Sequence, residues 1–316
     1  MRLRFLSLLI VASWSLTACN VMRMLERSGN KTFKKNGLVA HTFTDAAGPH
    51  FVWSSVESKD TGGLLKPKLM LVHGITGSSR MWVGNVAALS EHYDLIVPDL
   101  IGHGRSTTTW SGSSVDAQVA HLQLILDSLR MTEPVYVVGN SYGGAMVANF
   151  AEQHPERVRS LVIYDGPASD YTAAIADSVA RSVGAKDITD LFTPKNKDEQ
   201  YRLLELSLYK VPHIPGFALR QINEHMQAHS ASYLGLLKDL LDREDLYARK
   251  EYRWPMPVYV IWGAEDRLIP LATGRGIVAR NHLAADHFII IPQAGHVANI
   301  EQGAVFESEL LRILKE

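Results

Sequence analysis

One six-residue stretch restricts this chain more than any other. Residues 139–144 read Gly-Asn-Ser-Tyr-Gly-Gly, between the apolar run Val135–Val138 and a helical pattern from Ala145 to Gln153. A serine at such a strand–turn–helix junction sits in a strained backbone conformation. The positions two before and two after it must then lack bulky side chains. Gly139 and Gly143 meet that need. The turn lifts the Ser141 hydroxyl off the strand end and sets it at the start of a helix. There, free N–H groups and the helix dipole favour developing negative charge.

The surrounding pattern supplies the sheet that such a junction needs. Val39–Phe43 and Phe51–Val56 read as two short strands around the turn Ala46-Ala47-Gly48-Pro49. Lys68–Val72, Tyr93–Pro98, Val135–Val138, Ser160–Tyr164, Pro257–Trp262 and His287–Ile291 follow as short apolar runs separated by helical patterns. Continuous apolar strands alternating with helices indicate a mostly parallel sheet covered on both faces, an α/β fold. Val115, Val119, Leu122, Leu126 and Leu129 make one helical stripe, with Ser113 as its expected N-cap. Val305, Phe306, Leu310, Leu311 and Leu314 make another near the C-terminus. The alternation lapses over residues 168–253, where amphipathic helical pieces such as Tyr201–Lys210 and Tyr233–Leu241 replace strands. That segment is expected to be a helical insertion into a core formed by residues 38–167 and 254–316.

With 316 residues, 46% apolar content and a formal net charge of -1, the chain can bury a substantial core. It shows no clustered basic face of the kind nucleic acid requires. No histidine or carboxylate group has metal-ligand spacing and no phosphate-cradling glycine loop is present, so neither a metal nor a cofactor is implied.

His73-Gly74-Ile75-Thr76-Gly77, Asp99-Leu-Ile-Gly-His-Gly-Arg-Ser106, the Ser141 turn, Trp262-Gly-Ala-Glu-Asp266 and Gly295-His296 stand in the order and rough spacing of the capped α/β-hydrolases. The likeness runs from about residue 38 to the C-terminus, with 168–253 matching the cap only in position. Within that superfamily the chain most resembles exported lipases and esterases of Gram-negative bacteria, often called family V. It also resembles the C–C bond hydrolases of ring-fission products, which share a Gly-Asn-Ser-x-Gly-Gly turn.

The resemblance implies a serine hydrolase acting on small-molecule or lipid carboxylic esters. Ser141 would be the nucleophile, and the backbone N–H groups of Ile75 and Tyr142 would form the oxyanion hole. His296 lies in a loop after the last strand and would be the general base; His282 and His287 precede or begin that strand. For the acid, Asp266 after the Trp262 strand is favoured, with Asp165 after the Ser160–Tyr164 strand as rival and Glu265 as a weaker neighbour. His73, Asp99 and His103 are expected to shape loops. Phe217, Leu219 and Met226 are candidate lining residues of a lid over an acyl pocket. A C–C hydrolase, a cofactor-free perhydrolase and a non-catalytic envelope lipoprotein are the alternative readings.

The N-terminus carries a separate message. Arg2 and Arg4 precede an apolar run from Phe5 to Leu16, shorter than the roughly 20 residues of a spanning helix but suited to a signal peptide over residues 1–18. Leu16-Thr17-Ala18-Cys19 resembles the lipobox of bacterial lipoproteins, in which the cysteine is acylated and becomes the first residue. Cys19 is the only cysteine, so no intramolecular disulfide can form. Asn20 in place of Asp, by the same resemblance, implies the outer membrane. Residues 19–37, polar and basic, read as a tether between lipid and enzyme.

Overall fold

A computed structural model describes residues 20–55, 65–106 and 114–315. In chain order the elements are α1 (Val21–Lys35), β1 (Leu38–Asp45), β2 (Gly48–Ser55), β3 (Lys68–Val72), α2 (Val86–Ser90), β4 (Asp94–Pro98), α3 (Val115–Ser128), β5 (Val135–Asn140), α4 (Tyr142–Gln153) and β6 (Val158–Tyr164). They continue with α5 (Ala173–Ser182), α6 (Ile188–Leu191), α7 (Lys197–Ser207), α8 (Gly216–Asp242), β7 (Val258–Gly263), α9 (Leu271–Arg280), β8 (Phe288–Ile291), α10 (Ala298–Glu301) and α11 (Gly303–Ile313). No helix among the described residues is long and apolar enough to cross a membrane.

The strands form one eight-stranded sheet in the order β1-β2-β4-β3-β5-β6-β7-β8. β2 pairs antiparallel with both β1 and β4, and every other neighbouring pair is parallel. The chain leaves β3 for β4 on one side, then returns through α3 to β5 on the other. Loops after β3 and β5 therefore diverge, and a crevice opens at their carboxyl ends.

Side chains on the two sheet faces feed two cores. Val115, Val119, Leu122 and Leu126 of α3 pack with α4 and the inner residues of α9 on one face. α1, α2 and α11 cover the other through Phe33, Val86, Leu89, Phe306 and Leu310. The α3 stripe is buried as its spacing requires, but its N-cap is Ser114, whose side chain accepts the Ala117 N–H. Ser113, the expected cap, lies outside the described residues.

The segment read as a tether is different in part. Residues 21–35 form a helix, capped by the Asn20 side chain. Phe33 is fully buried and stacks on Trp53 with ring centroids 5.0 Å apart. Lysines and arginines spread around most of the helix hide this short apolar stripe, which carries only Val21 and Phe33 into the core. Cys19 and the apolar run before it lie outside the described residues.

Residues 168–253 contain α5–α8 and no strand. Leu236, Leu237, Leu240 and Leu241 of α8 join the core that contains Tyr142.

Candidate active site

Ser141 has φ 54° and ψ −127° between β5 and α4, a conformation that non-glycine residues adopt only when their surroundings force it. Packing supplies the force. A Cβ on Gly139 would lie 2.3 Å from Gly143 O, and one on Gly143 would lie 2.4 Å from His73 O. Both positions therefore exclude any side chain, as the sequence spacing implied. Ser141 N–H donates to Tyr164 O at 2.9 Å, which ties the turn to the end of β6.

The loop after β3 lies against this turn: a Cβ on Gly74 would stand 3.3 Å from Ser141 Oγ. His73 fixes the loop's shape. Its Nδ1 donates to Gly74 O at 2.7 Å, and its Nε2 accepts the Leu100 N–H at 3.0 Å. Those two bonds define a neutral tautomer, and burial pushes the imidazole down to about 4. Tyr142 is the first residue of α4, so its N–H has no acceptor within the helix. Ile75, Ser141 and Tyr142 together border one cavity.

The structure separates the three candidate acids. Asp266 Oδ2 accepts from His296 Nδ1 at 2.7 Å. Its Oδ1 accepts the N–H groups of Leu268 and Ile269, both at 2.9 Å. Asp165, fully buried behind it, instead accepts the Gly263 N–H through Oδ1 at 2.8 Å. Burial, and then the negative charge of Asp266, hold the Asp165 carboxyl well above the usual carboxylate range. Glu265 turns away to accept the Ala294 N–H at 3.0 Å.

His296 is buried, and its Nε2 has no hydrogen-bond partner among the described residues. Asn140 steadies it by donating to His296 O at 3.1 Å. Donor atoms of Asp165, Asp266 and His296 all lie within 4.8 Å of one another. Within it, Asp266 Oδ2 and His296 Nδ1 are already joined by a hydrogen bond.

Other sequence candidates have structural places. Asp99 accepts the Ser79 N–H at 2.6 Å and the Arg105 N–H at 2.9 Å. His103 bonds Ile101 O through Nδ1, and burial pushes it down to about 3.

Two cavities meet at Ser141. One is a cleft of about 200 Å³ that also reaches Thr76, Met81, Leu203, Ser207 and His296. The other is apolar and narrow, about 30 Å³, walled by Tyr171, Ile188, Phe192, Leu237, Leu240 and Leu241. Phe217, Leu219 and Met226 line neither. Phe217 is exposed, and the other two are buried elsewhere on α8. The lining leucines were visible as apolar pairs in Tyr233–Leu241, but nothing in the sequence shows which α8 turn crosses Ser141.

Sheet order, turn and site place this protein in a class. The chain belongs to the α/β hydrolase fold family, whose model matches residues 67–302. Lipase 1 of Psychrobacter immobilis is 27% identical over 274 residues, covering 84% of this chain and 81% of that protein. Lipase 3 of Moraxella sp. is 27% identical, with 84% of this chain and 82% of that protein covered. The crystal structure of a membrane phospholipase A shares the fold with a TM-score of 0.78 at 21% identity, covering 98% of this chain and 95% of that one.

Proposed function

We propose that this protein is a serine hydrolase that cleaves carboxylic esters of lipids or small molecules through an acyl-enzyme on Ser141. One observation carries the reading. The strained serine at the head of α4 shares a cleft with a histidine whose Nδ1 is held by a buried carboxylate and whose Nε2 has no partner among the described residues.

In this mechanism His296 Nε2 takes the Ser141 Oγ proton as Oγ attacks the ester carbonyl. The N–H groups of Ile75 and Tyr142 receive the oxyanion; one such donor contributes about 2.7–4 kcal/mol to the transition state. Imidazolium, stabilised by Asp266, gives its proton to the leaving alcohol. Water then attacks the acyl carbon as His296 takes its proton, and the Oγ–acyl bond breaks as His296 returns that proton to Ser141 Oγ and the acid leaves. The similarity to two lipases supports an ester as the bond cleaved.

A rate panel over p-nitrophenyl esters of increasing acyl length, with one ring-fission product alongside, tests the substrate class. Ester turnover well above C–C cleavage supports the reading, and the reverse ordering overturns it. The lipobox-like Leu-Thr-Ala-Cys19 further supports export and anchoring by acylation in the outer membrane. Cys19→Ser is expected to free the protein from membranes or block its maturation. A mature wild-type protein found soluble, with a free thiol, would refute the anchor.

A further inference from the structure

The chain that leaves α7 is bound to both loops that carry the Asp266–His296 pair. His296 N–H donates to Ser207 O at 2.8 Å, and Arg267 N–H donates to Leu206 O at 3.2 Å. The Arg267 guanidinium donates to Leu208 O at 2.8 Å. Glu301 completes the junction. Its Oε2 accepts the Gly295 N–H at 2.8 Å, while its Oε1 accepts the Tyr209 N–H at 2.9 Å and the Lys210 N–H at 3.3 Å. A Cβ on Gly295 would stand 2.5 Å from Ser207 O, so only glycine lets the two segments approach this closely.

We propose that Glu301 is a positioning residue whose carboxylate clamps the 207–210 turn of the helical insertion onto the His296 loop. The seating of the insertion then sets where the imidazole stands relative to Ser141. The inference rests on the triad reading above and adds a part that the acyl-transfer chemistry does not itself require.

The physical reason is that one carboxylate serves three N–H donors on two separate segments. Charge assistance makes such bonds about twice as strong as neutral ones. Glutamine keeps the shape but offers one acceptor oxygen, and its NH₂ must face an N–H. One of the two segments is therefore released. Aspartate is one methylene shorter and cannot span both.

Glu301→Gln should lower kcat by about 10- to 100-fold, the scale of an ångström-sized misplacement, with a smaller change in KM. The far-downfield proton resonance of His296 Nδ1–H should shift or broaden. Gly295→Ala, which pushes the same junction apart, should be non-additive with it in a double-mutant cycle. Wild-type kcat with an unchanged resonance would overturn the proposal. So would a loss of rate that only tracks the unfolded fraction. If Glu301→Gln does not fold, Glu301→Asp is read by the same measurements. His296→Ala separates the two ideas: fluorophosphonate labelling as fast as wild type in that variant would sink the triad reading itself, whatever Glu301 does.

Discussion

At the scale of single residues, two aspartates sit side by side in this site in different hydrogen-bonding surroundings. Asp266 is held by two backbone N–H groups and the imidazole N–H, whereas Asp165 has one N–H and a buried oxygen without a partner among the described residues. Asp266→Asn is expected to cut kcat by about 10⁴, because an amide favours the wrong histidine tautomer; steady-state kinetics on a soluble ester checks it. Asp165→Asn should leave kcat within a few-fold. It should also change stability with pH in a defined direction. The folded-state pKa of Asp165 is raised, so its contribution to stability is complete below the unfolded value of about 3.9 and is lost as pH rises toward the folded value. Asparagine does not titrate. The melting temperature of the variant relative to wild type should therefore fall as pH drops from neutral to about 4. A relative melting temperature that rises on acidification would contradict the assignment. Order along the chain admitted both aspartates, and only the 2.7 Å contact to His296 separates them.

At the scale of elements, the parts that were legible in sequence are those whose pattern is local. Strands such as Val135–Val138 and the α3 stripe carry their own periodicity, and the Ser141 turn carries its glycines. Gly143→Ala is expected to cost at least about 1–3 kcal/mol, since its Cβ would meet His73 O at 2.4 Å. Turnover should fall with it, as read by the denaturant midpoint and by kcat. What stayed hidden depends on contacts distant in sequence. α1 read as a tether because its buried face is only Val21, Gly29 and Phe33 among many basic residues. Its docking is set by Trp53, on a strand that lies later in the chain. Phe33→Ala should destabilise the protein by about 3–5 kcal/mol, seen as a lower urea midpoint at unchanged slope. A loss below 1 kcal/mol would mean that α1 is the loose tether its composition suggested. Glu301 was hidden for the same reason, because its acceptors' partners lie about 90 residues away on the α7–α8 connection.

At the scale of the whole molecule, the sheet's switch point, the helical insertion and the serine turn enclose one reaction space with two unequal arms. The apolar arm measures about 30 Å³, on a scale where one water needs about 10–15 Å³, so it suits an acyl group of only a few carbons. Leu240→Ala combined with Leu241→Ala should move the preferred acyl length upward while leaving acetate-ester turnover nearly unchanged, as read by the ester panel. An unmoved optimum would place the acyl chain in the 200 Å³ cleft instead. All of this depends on Ser141 being the nucleophile, and intact-protein and peptide mass spectrometry after fluorophosphonate treatment asks that question most directly. The expected result is one phosphonyl adduct on the peptide carrying Ser141, with labelling and ester turnover both abolished in Ser141→Ala and slowed strongly in His296→Ala. An adduct on another residue, or wild-type-like turnover in Ser141→Ala, would contradict it.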